Sequence, residues 1–429
     1  MNKIAKNASW IIICKIIQAV LALIINMLTA RFLGPSNYGL LTYAASLVAF
    51  VVPLMNLGFG NILVQEIVND PNREGEYLGT SISLSVISAL LCIIGVTTFA
   101  YVANPDEPIT TSVCLLYSVL LIFQAVELIQ YWFQAKLLSK YTSIISLVAY
   151  VIVSGFKFFL LVTQKSVQWF AISNALDYCL ISLGAVIAYR KLGGKKLKFS
   201  WKTAAYMFSK SKHYIVSSMM VTVFAQTDKI MLKLMINEAA TGYYGAAVQC
   251  ASLTSFVFVA IIDSFRPSIF ESKKNDVARF ELKLAMLYSL IIYLSLAQSI
   301  VMAIGAPLII GILYGDLYSS AVSALRIVVW YTTFSYLGSV RNIWILAFQK
   351  QKYLWIINLS GALTNIIING LLIPILGIDG AAIASLITQL FTNVLVGYIL
   401  QPIRDNNRIM IRGLNPKYLF VIKKLAFNK

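Results

Sequence analysis

Apolar residues along this chain gather in long runs separated by short polar breaks, and the length of a run decides what it is. A helix needs about 20 apolar residues to cross about 30 Å of hydrocarbon, and about twelve runs reach that length. They lie at Ser9 to Ala30, Leu40 to Leu63, Gly79 to Val102, Thr111 to Phe133, Ser143 to Thr163, Val167 to Tyr189, His213 to Ile236, Gly242 to Asp263, Lys283 to Ala306, Val322 to Phe348, Leu354 to Leu376 and Gly380 to Gln401. The pattern predicts an all-α integral membrane protein. Lys3 and Lys6 precede the first run, but it is too long for a signal-peptide core and lacks a small-residue cleavage site, so it reads as a retained span.

Composition points the same way. The 429 residues are 59% hydrophobic and 12% charged, with a mean hydropathy of +0.79, whereas a soluble domain carries about 25% charged residues. The five cysteines, Cys14, Cys92, Cys114, Cys179 and Cys250, sit inside apolar runs, odd in number and without paired spacing. They read as small buried hydrophobes, and neither a disulfide framework, a metal site nor a cofactor is expected.

The formal charge of +18, from 35 Lys+Arg against 17 Asp+Glu, would raise nucleic acid as a partner in a soluble chain. Here its distribution assigns it to topology. Basic residues collect at the termini and in alternate loops: Lys3, Lys6, Arg73, Lys136, Lys140, the block from Arg190 to Lys212, the stretch from Arg266 to Lys283, Lys350, Lys352 and the tail from Arg404 to Lys429. The opposite loops carry only Arg31 and Lys165, with Asp106, Glu107, Glu238, Asp316 and Asp379. Short cytoplasmic loops concentrate Lys and Arg, so both termini are expected in the cytoplasm, with anionic headgroups rather than nucleic acid as the partner of the charge. Lys195 to Tyr214 interleaves lysines with Phe199, Trp201, Tyr206 and Phe208, which suits an amphipathic helix on the membrane surface.

Two internal matches divide the chain. Tyr131, Trp132, Ala135, Lys140 and Tyr141 stand 212 positions before Ile343, Trp344, Ala347, Lys352 and Tyr353, and only the first pair differs. ARFLGPSNYGLLTYAA, from Ala30, is similar to KLMINEAATGYYGAA, from Lys233. The expected organisation is a bundle of six spans over 1–194, an amphipathic linker over 195–212, a second six-span bundle over 213–403 and a basic cytoplasmic tail over 404–429. An even number of spans per half makes this a parallel duplication.

Charges within spans are the candidate chemistry, because each costs roughly 2.5 to 3.5 kcal/mol at the bilayer centre. The cations are Lys15, Lys157, Lys229, Lys233, Arg326 and Arg341; the anions are Glu127, Asp177 and Asp228. Helical spacing aligns Lys15 with Gln18, Asn26 and Thr29, Lys229 with Thr222, Gln226 and Lys233, and Asn358 with Asn365 and Asn369. A hydrated, mainly cationic cavity between the halves accommodates these stripes. Lys15, Lys233 and Arg326 lie within about two turns of an interface, where snorkelling and cavity lining are both open. Asp228 is expected to pair with a cation on another span or to couple an ion, and Glu127 and Asp177 to carry protons if buried without partners.

ARFLGPSNYGLLTYAAS with the later NLGFG, TDKIMLKLMINEAATGYYGAAVQ, KLKFSWKTAAYMFSKSKHYIVSS and GIDGAAIAS together resemble bacterial polysaccharide flippases of the Wzx type. These form the polysaccharide transport branch of the superfamily that includes multidrug exporters and peptidoglycan-precursor flippases. The resemblance covers nearly the whole chain. It implies two six-helix bundles in a V around a central cavity, alternating access, and an inner-membrane protein of bacteria. The implied cargo is an undecaprenyl-pyrophosphate-linked oligosaccharide destined for O-antigen, capsule or another polymer, with a polysaccharide polymerase and chain-length regulator as partners. The family's cationic cavity falls on Lys15, Lys157, Lys229, Lys233, Arg326 and Arg341, with Asn26 and Asn365 as sugar ligands. Of these positions only Lys229, beside Asp228, falls on a recognisable motif.

Two alternatives are weaker. A multidrug exporter of organic cations favours acidic cavity groups. A membrane glycan polymerase or ligase needs catalytic groups near a long outward loop, and the longest here, around Ala306 to Ala321, has one charged residue, Asp316. The single histidine, His213, sits at a basic border and reads as interfacial, and no phosphate-cradling glycine motif is present.

Overall fold

The computed structural model describes the backbone of residues 3–419 and the side chains of 13–273 and 276–419. The side chains of Lys3, Lys6 and Lys274, and residues 420–429 of the expected tail, lie outside the described residues. No strand occurs among the described residues, and the chain divides into two compact units, Met1–Gln226 and Thr227–Lys429. By length and apolarity eight described helices are able to cross a bilayer, or nine when the pair Glu238–Ala251 and Ser255–Lys273, bent by 42°, counts as one. The chain is therefore a multi-pass, all-α membrane protein.

Unit 1 holds α1 (Lys3–Met55), α2 (Gly60–Asn69), α3 (Glu74–Ala103), α4 (Pro108–Ser118), α5 (Leu120–Val126), α6 (Gln130–Ala135), α7 (Ser139–Val162), α8 (Val167–Lys191) and most of α9 (Trp201–Met235). α1 has 53 residues, about 80 Å at 1.5 Å per residue, more than twice one crossing. Gly34 breaks it at φ 69, ψ 172, and Pro35 follows. Glycine reaches positive φ without penalty and proline removes the next N–H, so the polar turn expected between the first two spans shrinks to one kink. The second expected span also ends early. Pro53 lies in the last turn of α1, Leu57 and Gly58 take φ of 49 and 68, and α2 starts afresh. The fourth expected span is α4, α5 and α6 in series, with a 3₁₀ turn at Glu127–Ile129.

The cores explain the internal repeat. Trp132 is buried among Phe59, Leu63, Tyr77 and Phe133 and meets the Tyr189 ring edge-on at 4.9 Å. Just after it the chain turns through Leu137 at φ 57; Leu138 N donates to Phe133 O at 2.7 Å, and Leu137 N to Gln134 O at 3.1 Å. Gln349, 212 residues later, has φ 53; Lys350 N donates to Ile345 O at 2.9 Å, and Gln349 N to Leu346 O at 3.2 Å. The same left-handed helix stop and a buried tryptophan, Trp344, thus recur in both halves.

The linker differs from the sequence expectation. Its first residues are non-helical, and the helix starts only at Trp201 and runs unbroken into the seventh span. Lys198 N donates to Gly75 O at 3.0 Å and Ser200 N to Thr80 Oγ1 at 3.1 Å, which seats the strip along α3. A methyl group on Gly79 would overlap the Lys198 backbone. Lys210 pairs with Glu66 at 2.8 Å, holding α9 to α2.

Unit 2 completes α9 and adds α10 (Glu238–Ala251), α11 (Ser255–Asn275), α12 (Val277–Tyr314), α13 (Ala321–Ala347), α14 (Leu354–Leu390), α15 (Val396–Ile399) and α16 (Arg404–Gly413). α14 breaks at Gly377, φ 56, and a π-helical turn, Phe391–Leu395, separates it from α15. The expected basic tail begins as α16, which is docked: Asn406 and Asn407 are fully buried. Tyr288 donates to Asn406 Oδ1 at 2.9 Å, and Asn407 Nδ2 donates to Val394 O, within the π turn, at 2.7 Å. The π turn shifts the backbone register and frees carbonyls that side chains then satisfy.

Gly79→Ala is expected to lift the strip at residues 195–200 off α3 and raise tryptic cleavage after Lys195, Lys196 and Lys198 several-fold in membranes. An unchanged digest would contradict this seating.

Candidate functional site

In unit 2 the polar residues close around Asp228 on α9, which is 6% exposed. Tyr244 on α10 donates to its Oδ2 at 2.6 Å, and Ser385 on α14 donates to the same oxygen. Asn365 and Asn369, one helical turn apart on α14, donate their Nδ2 groups to Oδ1 at 2.9 and 2.6 Å. The partners holding Asp228 are thus neutral donors from two helices, α10 and α14, in place of the expected cation. Four hydrogen bonds offset the desolvation of a buried carboxylate, and each is strengthened by its charge. The amide oxygens of Asn365 and Asn369 are themselves buried without a hydrogen-bond partner. They are acceptors beside a carboxylate, a donor set suited to a cation or a proton.

Arg341, on α13, is 5% exposed, and its Nη1 donates to Thr392 O in the π turn at 2.6 Å. Its Nε is buried without a partner, and it pairs with no carboxylate among the described residues. Lys233 is also buried, and its ammonium meets Glu238 at 3.4 Å. Lys229 is half-buried, and Thr241 Oγ1 approaches its carbonyl oxygen at 3.3 Å. Arg326 is exposed.

Unit 1 separates its candidates into two cavities. Lys157 donates to Asn174 Oδ1 at 3.0 Å, and both line a cavity of about 140 Å³ with Asn26, Thr29 and Tyr38. Glu127 and Asp177 share another of about 340 Å³ with Gln18, Ser146 and Tyr150, and Asp177 Oδ1 is buried without a hydrogen-bond partner. Lys15 is exposed beside Ile13, Ile16 and Ile17.

The structure therefore brings together Asp228 with Asn365, Lys157 with Asn26, and Glu127 with Asp177. Lys15 and Arg326 join none of these groups. Periodicity along single helices found the stripes, Asn369 included, whereas Tyr244, Ser385 and Asn174 complete clusters across helices. Tyr244 had a signal: it lies in the same motif as Asp228, in ATGYYGAA.

Replacing Asn365 by Leu is expected to lower stability against unfolding by about 2 kcal/mol, the contribution of a hydrogen bond to a charged group. Thermal unfolding in detergent reads this; an unchanged midpoint would show that the Asp228 cluster is not a stabilising network.

Known proteins share this architecture. The Lipid II flippase MurJ in an inward closed conformation superposes with a TM-score of 0.74 at 15% identity, over 97% of this chain and 93% of that one. An inward-facing multidrug resistance MATE family transporter of the MOP superfamily gives 0.68 at 14% identity, over 90% and 94%. By sequence, an uncharacterised membrane protein of Methanocaldococcus jannaschii is 24% identical, covering 98% of this chain and 87% of that protein. A probable low-salt glycan biosynthesis flippase of Haloferax volcanii is 21% identical, over 92% and 83%. Residues 4–273 match the family described as polysaccharide biosynthesis protein. With more than half of its length matched, the chain belongs to the polysaccharide biosynthesis protein family, on a fold of the kind found in MOP-superfamily transporters.

Proposed function

We propose that the protein is a flippase that moves a polyprenyl-pyrophosphate-linked oligosaccharide, in a bacterium the undecaprenyl form, from the cytoplasmic to the outer leaflet by alternating access. The cargo would feed O-antigen, capsule or another surface polymer. On this reading the spans number twelve, both termini are cytoplasmic and the membrane is the cytoplasmic one. Family membership and the glycan flippase of Haloferax volcanii support the class of cargo.

Arg341 carries the reading. A buried guanidinium costs several kcal/mol of lost hydration unless something compensates it. Arg341 is held by one backbone carbonyl and keeps an unused Nε. Guanidinium donors match phosphate oxygens in a bidentate fork, so a pyrophosphate headgroup supplies the missing anion. Lys157, Lys229 and Lys233 provide further positive charge, and Lys15 and Arg326 are exposed cations outside these groups. Asn26 is a neutral group for sugar hydroxyls, whereas Asn365, fully buried and donating to Asp228, is withdrawn from that role.

Asp228, with the two asparagine oxygens beside it, is the site we assign to the coupling ion, either sodium or a proton. Glu127 and Asp177, sharing a cavity, form an acidic pair that we assign to the same role.

Arg341→Gln and Lys157→Gln are expected to lower surface glycan by roughly tenfold or more, since a charge-assisted hydrogen bond contributes about 1.5–3 kcal/mol. Immunoblotting of membranes checks that both variants insert; normal glycan display in both would sink the anion-binding role. Asp228→Asn should abolish the response of transport to an imposed sodium or proton gradient in proteoliposomes. A variant still driven by the gradient would remove Asp228 from coupling.

A further inference from the structure

Two sequence motifs, NLGFG and YWFQAKLLSKY, take no part in the charged clusters, and in unit 1 they meet. The turn between α1 and α2 and the short helix α6 enclose a cavity of about 500 Å³, within the size range of small-molecule sites. Its polar lining comes from Asn56 of the first motif and Asn61 just after it, Tyr131 and Gln134 of the second, and Ser218 of α9. No charged residue lines it among the described residues. The side chains of Asn56, Tyr131, Gln134 and Ser218 make no hydrogen bond among the described residues, and Asn61 makes only a long one of 3.5 Å to Gly58 O.

The backbone is shaped to leave this space open. Gly58 holds φ 68, and Gly60 lets the Tyr131 phenol lie against the start of α2, where a methyl group would overlap it. The internal repeat singles out the same residue. Trp132 and Trp344 are both buried, at 3% and 2% exposure, and serve packing in each half. Tyr131 faces Ile343 in the repeat, the one mismatched pair, and it is Tyr131 that enters the cavity.

We propose that this cavity is a carbohydrate-binding subsite that recognises sugar hydroxyls of the glycan headgroup. The inference rests on the flippase reading and deepens it. Amides and hydroxyls both donate and accept, as each sugar hydroxyl does. The phenol ring offers an apolar face, and its hydroxyl a polar tip, for a pyranose ring. An anion would find no cation here, and a hydrocarbon chain would leave five polar side chains unpaired. The cavity lies at the end of unit 1 that carries the Arg73 and Lys136 loops, the end proposed as cytoplasmic, where a lipid-linked glycan first meets the protein.

The test uses the purified full-length protein in nanodiscs and two probes: lipid-linked oligosaccharide extracted from a strain deleted for this protein, and the same polyprenyl pyrophosphate without sugar. Wild type is expected to bind the glycosylated probe about tenfold or more tightly than the bare one, as a site built to hydrogen-bond its ligand does. Gln134→Leu, at an exposed position where packing is undisturbed, and Asn56→Leu should abolish that preference and leave the affinity for the bare lipid unchanged. Wild-type preference in both variants, equal loss for both probes, or no preference in wild type overturns the subsite. Failure of wild type to bind either probe overturns the flippase reading itself, and the subsite with it.

Discussion

A charge held at bilayer depth must find its compensation inside the protein, because no water or headgroup is within reach. Each central charge costs roughly 2.5 to 3.5 kcal/mol on insertion scales, and one irregular feature of this fold, the π turn at Phe391–Leu395, sits where that cost arises. Asp228 gathers four neutral donors from two helices. Arg341 takes a carbonyl that the π turn at Phe391–Leu395 makes available. Lys233 meets Glu238 and Lys157 meets Asn174. The acid is fully engaged while the guanidinium is only partly so, and that imbalance underlies the proposal of an anionic cargo.

The same π turn has a second use. Thr392 O serves Arg341, and Val394 O serves Asn407 of α16. One local departure from helical register therefore joins a buried cation to the docked helix at the end of unit 2. π-helical turns occur frequently at functional sites because they trade regular hydrogen bonding for free backbone groups. A change in how α16 docks would reach Arg341 through three backbone positions.

Much of the fold was legible in the sequence, since apolar run length alone marks a membrane helix, and the basic residues sort cleanly into alternate loops. The kinks were less so. Gly34 with Pro35 read as a loop because a polar GPSN stretch looks like a turn, yet the helix resumes directly. The 195–212 segment read as one amphipathic helix, although its first residues are non-helical and lie against Gly75 and Gly79, far away in sequence. The Asp228 site was half legible. Asn365 and Asn369 follow from one-turn spacing, but Ser385 lies beyond the Gly377 break, where a periodicity carried along one helix loses phase. Single-helix patterns also placed Lys15 and Arg326 among the candidates, because a stripe does not reveal which side chains are exposed.

The central claim is that buried positive charge selects an anionic glycolipid head. The most direct measurement is translocation in reconstituted proteoliposomes of two fluorescent polyprenyl glycans with the same sugars, one joined through pyrophosphate and one through a neutral ether. Rapid protein-dependent flipping of the pyrophosphate lipid alone is the predicted result; equal flipping of the neutral lipid would contradict the account.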